Sequence, residues 1–226
     1  MIVAVIPARG GSKRLPGKNL RQLCNRPLLY YSVAVCKLVE AIDRYYVTTD
    51  DPEIAAVASG YGAEVIHRPT DLATDETSTA AVVAHAAEQI VAVGHDLSAV
   101  VTLQPTNPLR PPALVTKAIN AFRTAECDSL VSVSLSKEKT GYVENGLFAP
   151  NYILGQRSQD LPPKYRENGL IYITRRAVLM EHGDLFGKRL CPFVVEPPFD
   201  KADIDDAYDL TMAEALYTRY LSNLGY

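Results

Sequence analysis

Ile6-Pro7-Ala8-Arg9-Gly10-Gly11-Ser12-Lys13-Arg14-Leu15-Pro16-Gly17-Lys18-Asn19 is the stretch on which the reading of this chain turns. It follows the apolar run 1–6, which has the composition of a strand buried on both faces. Between Arg9 and Lys18 it places three glycines, two lysines and two arginines, and no Asp or Glu precedes Glu40. Glycine lets backbone N–H groups turn toward an anion, and Lys and Arg heads add charge. A strand feeding such a loop predicts a polyphosphate held at the C-terminal edge of a parallel sheet. Backbone N–H groups at Gly10, Gly11 and Ser12 would take two phosphates, with Lys13 and Lys18 as point charges. The loop is not a P-loop, since Gly17-Lys18 is followed by Asn19 rather than Ser or Thr, and it is not a G-x-G-x-x-G fingerprint. A solvated basic turn is the plainer alternative. Six basic residues between Arg9 and Arg26, with no acid among them, argue against it.

Outward from the loop, strand-like and helix-like segments alternate. Apolar residues at helical spacing occupy 27–40, and 44–48 reads as a strand. Asp51 as N-cap with Pro52 behind it opens a helix that Gly60 and Gly62 close. Strands are predicted at 63–66, 98–103 and 128–134, and helices at 77–93 and 113–125. This rhythm implies an α/β fold with a doubly wound, mostly parallel sheet. It breaks after Ser134. Glu144-Asn145-Gly146 carries a hairpin signal, and 155–168 is polar with Pro162-Pro163. Short strands are predicted at 170–173 and 191–195, and a closing helix at 205–221. The chain therefore reads as one domain over 1–226, with 135–168 as an excursion from the sheet that serves as a lid or a dimer contact.

Composition narrows the function. Hydrophobic residues at 47% and charged residues at 22% are ordinary for a soluble globular chain. A net charge of −3, with basic residues gathered near the N-terminus, marks a site rather than a nucleic-acid-binding surface. Cys24, Cys36, Cys127 and Cys191 have no C-x-x-C spacing, so free thiols in a reducing compartment are expected. Residues 1–6 are too short for a leader core and lack a basic lead, and no apolar run approaches a membrane span. The expectation is a cytoplasmic protein with neither membrane nor nucleic-acid partners.

Four further constellations carry chemistry. In Asp203-Ile204-Asp205 two carboxylates spaced by one residue share a side of an extended segment and could hold one hard cation such as Mg²⁺; capping of the closing helix is the alternative. Leu103-Gln104-Pro105-Thr106-Asn107-Pro108-Leu109-Arg110 closes a predicted strand, and its prolines stiffen the turn that carries Gln104 and Arg110. Arg166-Glu167-Asn168-Gly169-Leu170-Ile171-Tyr172-Ile173 places Asn-Gly before a strand, which also reads as a plain turn. Arg68 is held extended by Pro69 and can donate to the acceptors of a cytosine, while Thr77-Ser78-Thr79 reads equally as a helix cap or as ligand contacts. His67, His85, His95 and His182 have no zinc-like spacing.

Together these segments resemble the CMP-N-acetylneuraminate synthetases, the acylneuraminate cytidylyltransferases, from Ile2 to about Leu210. The I-P-A-R-G-G-S-K-x-x-P-x-K-N loop is specific to that family. Its Q-P-T-S-P-L-R segment appears as Gln104–Arg110 with Asn107 in place of Ser, its R-x-N-G-x-I-Y-I segment as Arg166–Ile173, and its D-I-D motif as Asp203–Asp205. The resemblance implies a nucleotidyltransferase fold of Rossmann-like type. It implies CTP and a nonulosonic (sialic-type) acid as substrates, giving the CMP-sugar and pyrophosphate. Ala8, Arg9, Gly10, Gly11, Ser12, Lys13, Lys18 and Asn19 would bind the nucleotide with Arg68, Thr77 and Thr79. Gln104, Arg166, Asn168, Gly169 and Tyr172 would line the sugar pocket, and Asp203 and Asp205 would bind Mg²⁺. Arg9, Lys13, Lys18 and Asp205 would carry catalysis. The resemblance also implies a homodimer in which the excursion reaches the partner, with Arg157 and Lys164 completing its pocket.

The sister CMP-Kdo synthetases share Arg14–Lys18 but have Pro where this chain has Asn19, which favours the sialate branch. Two readings from other classes remain to be weighed. A non-catalytic CTP-binding regulator would not need the Asp pair. An RNA-binding module is disfavoured by net acidity and by the lack of interleaved aromatics.

Overall fold

Ile2–Pro7 forms strand β1, an interior strand of a seven-stranded sheet. Its side chains alternate between two cores: Ile2, Ala4 and Ile6 enter one, Val3 and Val5 the other. That is why the run carries no polar residue. The computed structural model describes residues 1–222. After β1 come β2 (Gln22–Leu23), β3 (Arg26–Pro27), α1 (Leu28–Leu38), β4 (Arg44–Thr49), α2 (Pro52–Gly60), β5 (Glu64–His67) and α3 (Thr79–Ala92). Then follow β6 (Ala99–Thr102), α4 (Pro112–Thr124), β7 (Ser129–Ser136), β8 (Gly141–Glu144) and β9 (Leu147–Pro150). The chain closes with β10 (Lys164–Arg175), α5 (Arg176–His182), β11 (Leu190–Val194) and α6 (Ala207–Tyr220).

The sheet runs β11-β7-β10-β6-β1-β4-β5. All its pairings are parallel except those of β10, which is antiparallel to both β6 and β7. The expected mostly parallel, doubly wound architecture is therefore present. Residues of α1, α2 and α4 (Leu29, Ile54, Ile119) pack into the core on one face, and residues of α3 and α5 (Val83, Ile90, Leu179) into the core on the other. The chain leaves β1 for β4 on one side, and β6 later docks on the other. This reversal creates a crevice at the C-terminal ends of β1 and β6, the position where open α/β sheets bind ligands.

A third, smaller core matters most for function. Leu15 of the basic loop, Leu23 and Leu28 around the β2–β3 hairpin, Leu109, Ile204 and Ala213 form one cluster. It buries the apolar residues of the loop and of the acidic segment together. The charged residues on either side are thereby brought to one rim.

Several elements differ from the sequence reading. The two-residue strands β2 and β3 and the seven-residue α5 are too short to show a period. Strand β10 is longer than predicted: Lys164–Glu167 pair with Val133–Ser136 of β7. The ends of the 135–168 stretch thus belong to the sheet, and only 137–163 stands outside it. The Asn-Gly hairpin forms as expected between β8 and β9, with Asn145 at φ 52° and Gly146 at φ 78°. Asp51 caps α2 by accepting from Glu53 N and Ile54 N. The four cysteines are free. Among the described residues no helix is long and apolar enough to cross a membrane.

Candidate active site

A cleft of about 260 Å³ opens at the β1/β6 reversal. Pro7, Arg9, Ser12, Lys18 and Asn19 line one wall, Arg68, Thr77 and Thr79 a second, and Gln104, Pro105 and Thr106 a third. A second hollow, lined by Lys13, Arg14 and Leu15, shares Arg9, Ser12, Lys18 and Asp75 with the first. Of the residues expected to contact the nucleotide, Ala8, Gly10 and Gly11 line neither hollow, and Lys13 lines only the second. Ala8 is buried beneath the loop and donates its N–H to Thr48 O at 3.0 Å. Asn19 is buried and donates to Arg9 O at 2.8 Å, which fixes the start of the loop.

The basic loop has acidic partners that its own sequence does not show. Asp205 accepts from Lys18 Nζ at 3.1 Å and from Arg14 at 3.0 Å. Asp75 pairs with Arg9 at 2.8 Å and also with Lys13. Asp50 accepts from Gly10 N at 3.2 Å, and Ser12 N donates to Gly10 O at 3.0 Å. This corrects two expectations: the cations are paired, and two of the three backbone N–H groups assigned to phosphates are engaged inside the protein. Gly10 is required for another reason, since a Cβ there would stand 2.4 Å from Asp51 Oδ2.

Arg68 is buried and donates to Thr48 O at 2.7 Å, while its Nε has no hydrogen-bond partner among the described residues. Burial lowers its pKa from the usual arginine value, and the Asp50 charge opposes that shift. Thr77 bonds the Thr74 hydroxyl at 2.8 Å, and the cap of α3 is Ser78.

On the other flank, β10 bulges where Asn168–Ile171 face Ser132 alone. Asn168 makes this bulge: its Oδ1 accepts from Ser132 Oγ at 2.6 Å and from Leu170 N, and its Nδ2 donates to Ser134 Oγ at 2.8 Å. Its side chain is therefore spent on the fold and not presented to a sugar. Gly169 sits at the tip with φ 70°, and a Cβ there would be 3.1 Å from Asn107 Nδ2, 3.8 Å from Tyr172 Oη and 3.9 Å from Gln104 Oε1. Gln104, Gly169 and Tyr172 are thus brought together as expected, and Asn107 joins them. Tyr172 donates to Glu167 at 2.5 Å, and burial first, then this bond, raises the phenol well above its ordinary range. Arg166 is not brought to the cleft; it donates to Asp200 O at 3.2 Å and lies 3.5 Å from its carboxylate. Arg110 is fully buried and donates to Leu170 O at 2.6 Å, to Ser32 Oγ at 3.0 Å and to Gln104 O. It acts as a strut between the Gln104 turn and the β10 bulge.

Asp203 and Asp205 flank the buried Ile204, whose N–H donates to Thr106 O at 2.8 Å. Asn107 Nδ2 donates to Asp203 Oδ1 at 3.2 Å. Asp203 stands at the surface, yet partial desolvation of its carboxyl first, and the neighbouring Asp205 charge second, raise its pKa. A carboxyl whose charge is disfavoured by burial and by a neighbouring carboxylate is what a divalent cation relieves. Among the described residues no third His, Cys, Asp or Glu completes a metal cluster. A carboxylate pair suffices for Mg²⁺ when phosphate oxygens complete the shell.

Asp50 and Asp75 lie outside every constellation the sequence offers. Asn107, Arg110 and Glu167 lie within two of them, Arg110 beside Gln104 in the proline-stiffened turn and Asn107 as a departure from the family's Ser, but their local pattern assigns them no place in the nucleotide, sugar or metal site.

A doubly wound sheet with a basic loop after its first strand, faced by an acidic pair, defines the nucleotidyltransferase class. Residues 3–217 match the cytidylyltransferase family, and the chain belongs to it. It is 32% identical over 222 residues to the CMP-N,N'-diacetyllegionaminic acid synthase of Legionella pneumophila, with 95% of each chain covered. It is 30% identical to the N-acylneuraminate cytidylyltransferase of Escherichia coli O18:K1:H7, covering 94% of this chain and 51% of that protein. The chain thus spans about half the length of that relative. It is also 30% identical to the pseudaminic acid cytidylyltransferase of Campylobacter jejuni, with 95% of each covered. The solved structure of CMP:2-keto-3-deoxy-manno-octonic acid synthetase complexed with CTP shares the fold, with TM-score 0.73 at 20% identity over 97% of this chain and 99% of that one. A 4-diphosphocytidyl-2C-methyl-D-erythritol synthase does so with TM-score 0.71 at 12% identity, covering 95% and 97%.

Proposed function

We propose that this protein activates a nonulosonic acid with CTP, releasing pyrophosphate and the CMP-sugar. The observation that carries the reading is the meeting of Lys18 and Asp205 at 3.1 Å across 187 residues of chain, at the rim of the β1/β6 crevice. The relatives named above support it, because the two matched over 95% of their length are a CMP-N,N'-diacetyllegionaminic acid synthase and a pseudaminic acid cytidylyltransferase.

The anomeric 2-hydroxyl of the sugar attacks the α-phosphorus of CTP. The bond from the α-phosphorus to the oxygen it shares with the β-phosphate breaks, pyrophosphate leaves with that oxygen and its electron pair, and the hydroxyl proton passes to solvent. Positioning and charge neutralisation dominate such transfers. Arg9, Lys13 and Lys18 hold the leaving pyrophosphate, and Ser12 and Asn19 lie along the same wall. Arg68, with Thr77 and Thr79, receives the cytidine; its Nε, which has no hydrogen-bond partner among the described residues, is a donor suited to a base acceptor. Gln104, Gly169 and Tyr172 form the sugar side. Asp203 and Asp205 would hold Mg²⁺, which when bound neutralises phosphate charge and polarises the reacting oxygens.

Exposed Val143, Leu147, Phe148, Ile153 and Leu154 on 137–163 support a homodimer built through the excursion. Four free thiols support a cytoplasmic setting.

Pyrophosphate release from CTP with a panel of N-acetylneuraminate, legionaminate and pseudaminate tests the reading. One acid should drive release, and Asp205→Ala should abolish it. Binding of CTP with no release for any acid would leave a nucleotide-binding regulator instead.

A further inference from the structure

The rim of the cleft is occupied by its own carboxylates. Asp205 belongs to the metal reading, and Asp50 holds a backbone N–H group. Asp75 has no such assignment. It lies in the turn between residue 72 and α3 and lines both hollows. One of its oxygens meets Arg9 Nη2 at 2.8 Å and the other meets Lys13 Nζ. A second tie holds the turn down: Arg9 Nη1 donates to Thr74 O at 2.7 Å. A carboxylate bridging a guanidinium and an ammonium at the mouth of a phosphate loop takes the place that two phosphate oxygens would take. The pair is accessible, with Asp75 40% exposed and Lys13 82% exposed, so exchange with solvent-borne anions meets no packing barrier.

We propose that Asp75 is a built-in occupant of the polyphosphate cradle, neutralising Arg9 and Lys13 in the empty cleft and yielding them to the phosphates of the entering nucleotide. The proposal rests on the reading of this cleft as a CTP site. It sets affinity in both directions. Entering triphosphate must displace a carboxylate, and departing pyrophosphate is replaced by one. Asp75 thereby weakens polyphosphate binding and speeds product release, the opposite of a residue that merely orients the two cations. The Asp75 carboxyl is held below the usual range, chiefly by its bond from Lys13, so it is ionised wherever the enzyme would work.

Titration calorimetry with inorganic pyrophosphate at low ionic strength decides it, using wild type, Asp75→Asn, Asp75→Glu and Lys13→Ala. Removing a negative charge next to the ligand should tighten pyrophosphate binding about tenfold in Asp75→Asn, with the gain shrinking as salt rises. Asp75→Glu, which restores the charge, should return toward wild type. In turnover, Asp75→Asn should lower both KM for CTP and kcat. Unchanged or weaker binding in a folded Asp75→Asn protein would overturn the proposal and make Asp75 a positioning residue. Lys13→Ala should bind more weakly than wild type; if wild type does not bind pyrophosphate, or Lys13→Ala binds it equally well, the cleft assignment itself fails, which is a separate result.

Discussion

The cleft rim and the 137–163 excursion are built on opposite principles. At the rim the side chains are charged or polar, and their partners lie far along the chain: Lys18 with Asp205, Arg9 with Asp75, Asn107 with Asp203. The excursion, beside exposed charges such as Arg157, carries a run of exposed large apolar side chains, with Val143 and Leu147 each 75% exposed and Ile153 and Leu154 each 76%. Its polar bonds are short-range, such as Arg157 with Asp160 at 2.7 Å and Gln156 with Asp160 O at 3.0 Å. Long-range pairing fixes a geometry through the whole fold, whereas local pairing shapes a segment and leaves its outer surface to whatever covers it. The rim is thus suited to hold charged small molecules. The excursion is suited to bury area against another protein surface.

The sharpest way to break this contrast is at the strut beneath the rim. Arg110→Met leaves the carbonyls of Leu170 and Gln104 and the Ser32 hydroxyl without their buried donor. It should lower unfolding free energy by about 3–5 kcal/mol, read from urea denaturation. Next in size is Gly169→Ala, which forces a Cβ into left-handed backbone 3.1 Å from Asn107. A cost of about 1–3 kcal/mol is expected, together with a larger fall in kcat/KM for the sugar than for CTP. Lys18→Ala removes a charge-assisted contact and should weaken CTP binding by about 1.5–3 kcal/mol in calorimetry; because Lys18 Nζ also donates to Ile204 O at 3.0 Å, a loss of fold stability of about 0.5–1.5 kcal/mol should accompany it. On the excursion the pattern inverts. Under the proposed homodimer, Leu147→Ser with Phe148→Ser should shift sedimentation from dimer to monomer while moving monomer stability by no more than about 0.5 kcal/mol.

The smallest effect concerns acid. Asp75 is depressed in the folded state by Lys13 and then Arg9, so its folded pKa lies below the unfolded value. Its contribution is fully present above the ordinary carboxylate range and is lost as pH falls through the depressed value. Stability curves of wild type and Asp75→Asn should therefore differ near neutrality and converge as pH falls below the ordinary carboxylate range. Excursion variants should show no such convergence.

Much of the architecture was legible because its signals are local. The all-apolar β1, the Asp51-Pro52 cap and the Asn145-Gly146 turn each announce themselves within a few residues. The antiparallel entry of β10 was not legible, since alternation along a strand says nothing about its direction. Asn168 shows the same limit within the site: an Asn-Gly pair beside a strand gave the right place but the wrong task, because Ser132 and Ser134 come from a different strand. Arg166 was drawn away by Asp200, which only the docking of the acidic segment brings near.

From its residues alone the chain determined a doubly wound sheet, a cation-rich loop behind the first strand and a carboxylate pair near the far end. Those properties follow from periodicity, caps and side-chain charge, which act over one turn of helix or one strand. Tertiary structure decided that Leu15 and Ile204 share a core, and hence that loop and carboxylates face each other. It also decided that Asp75 and Asp50 enter the loop, because pairings across tens of residues depend on which strands become neighbours.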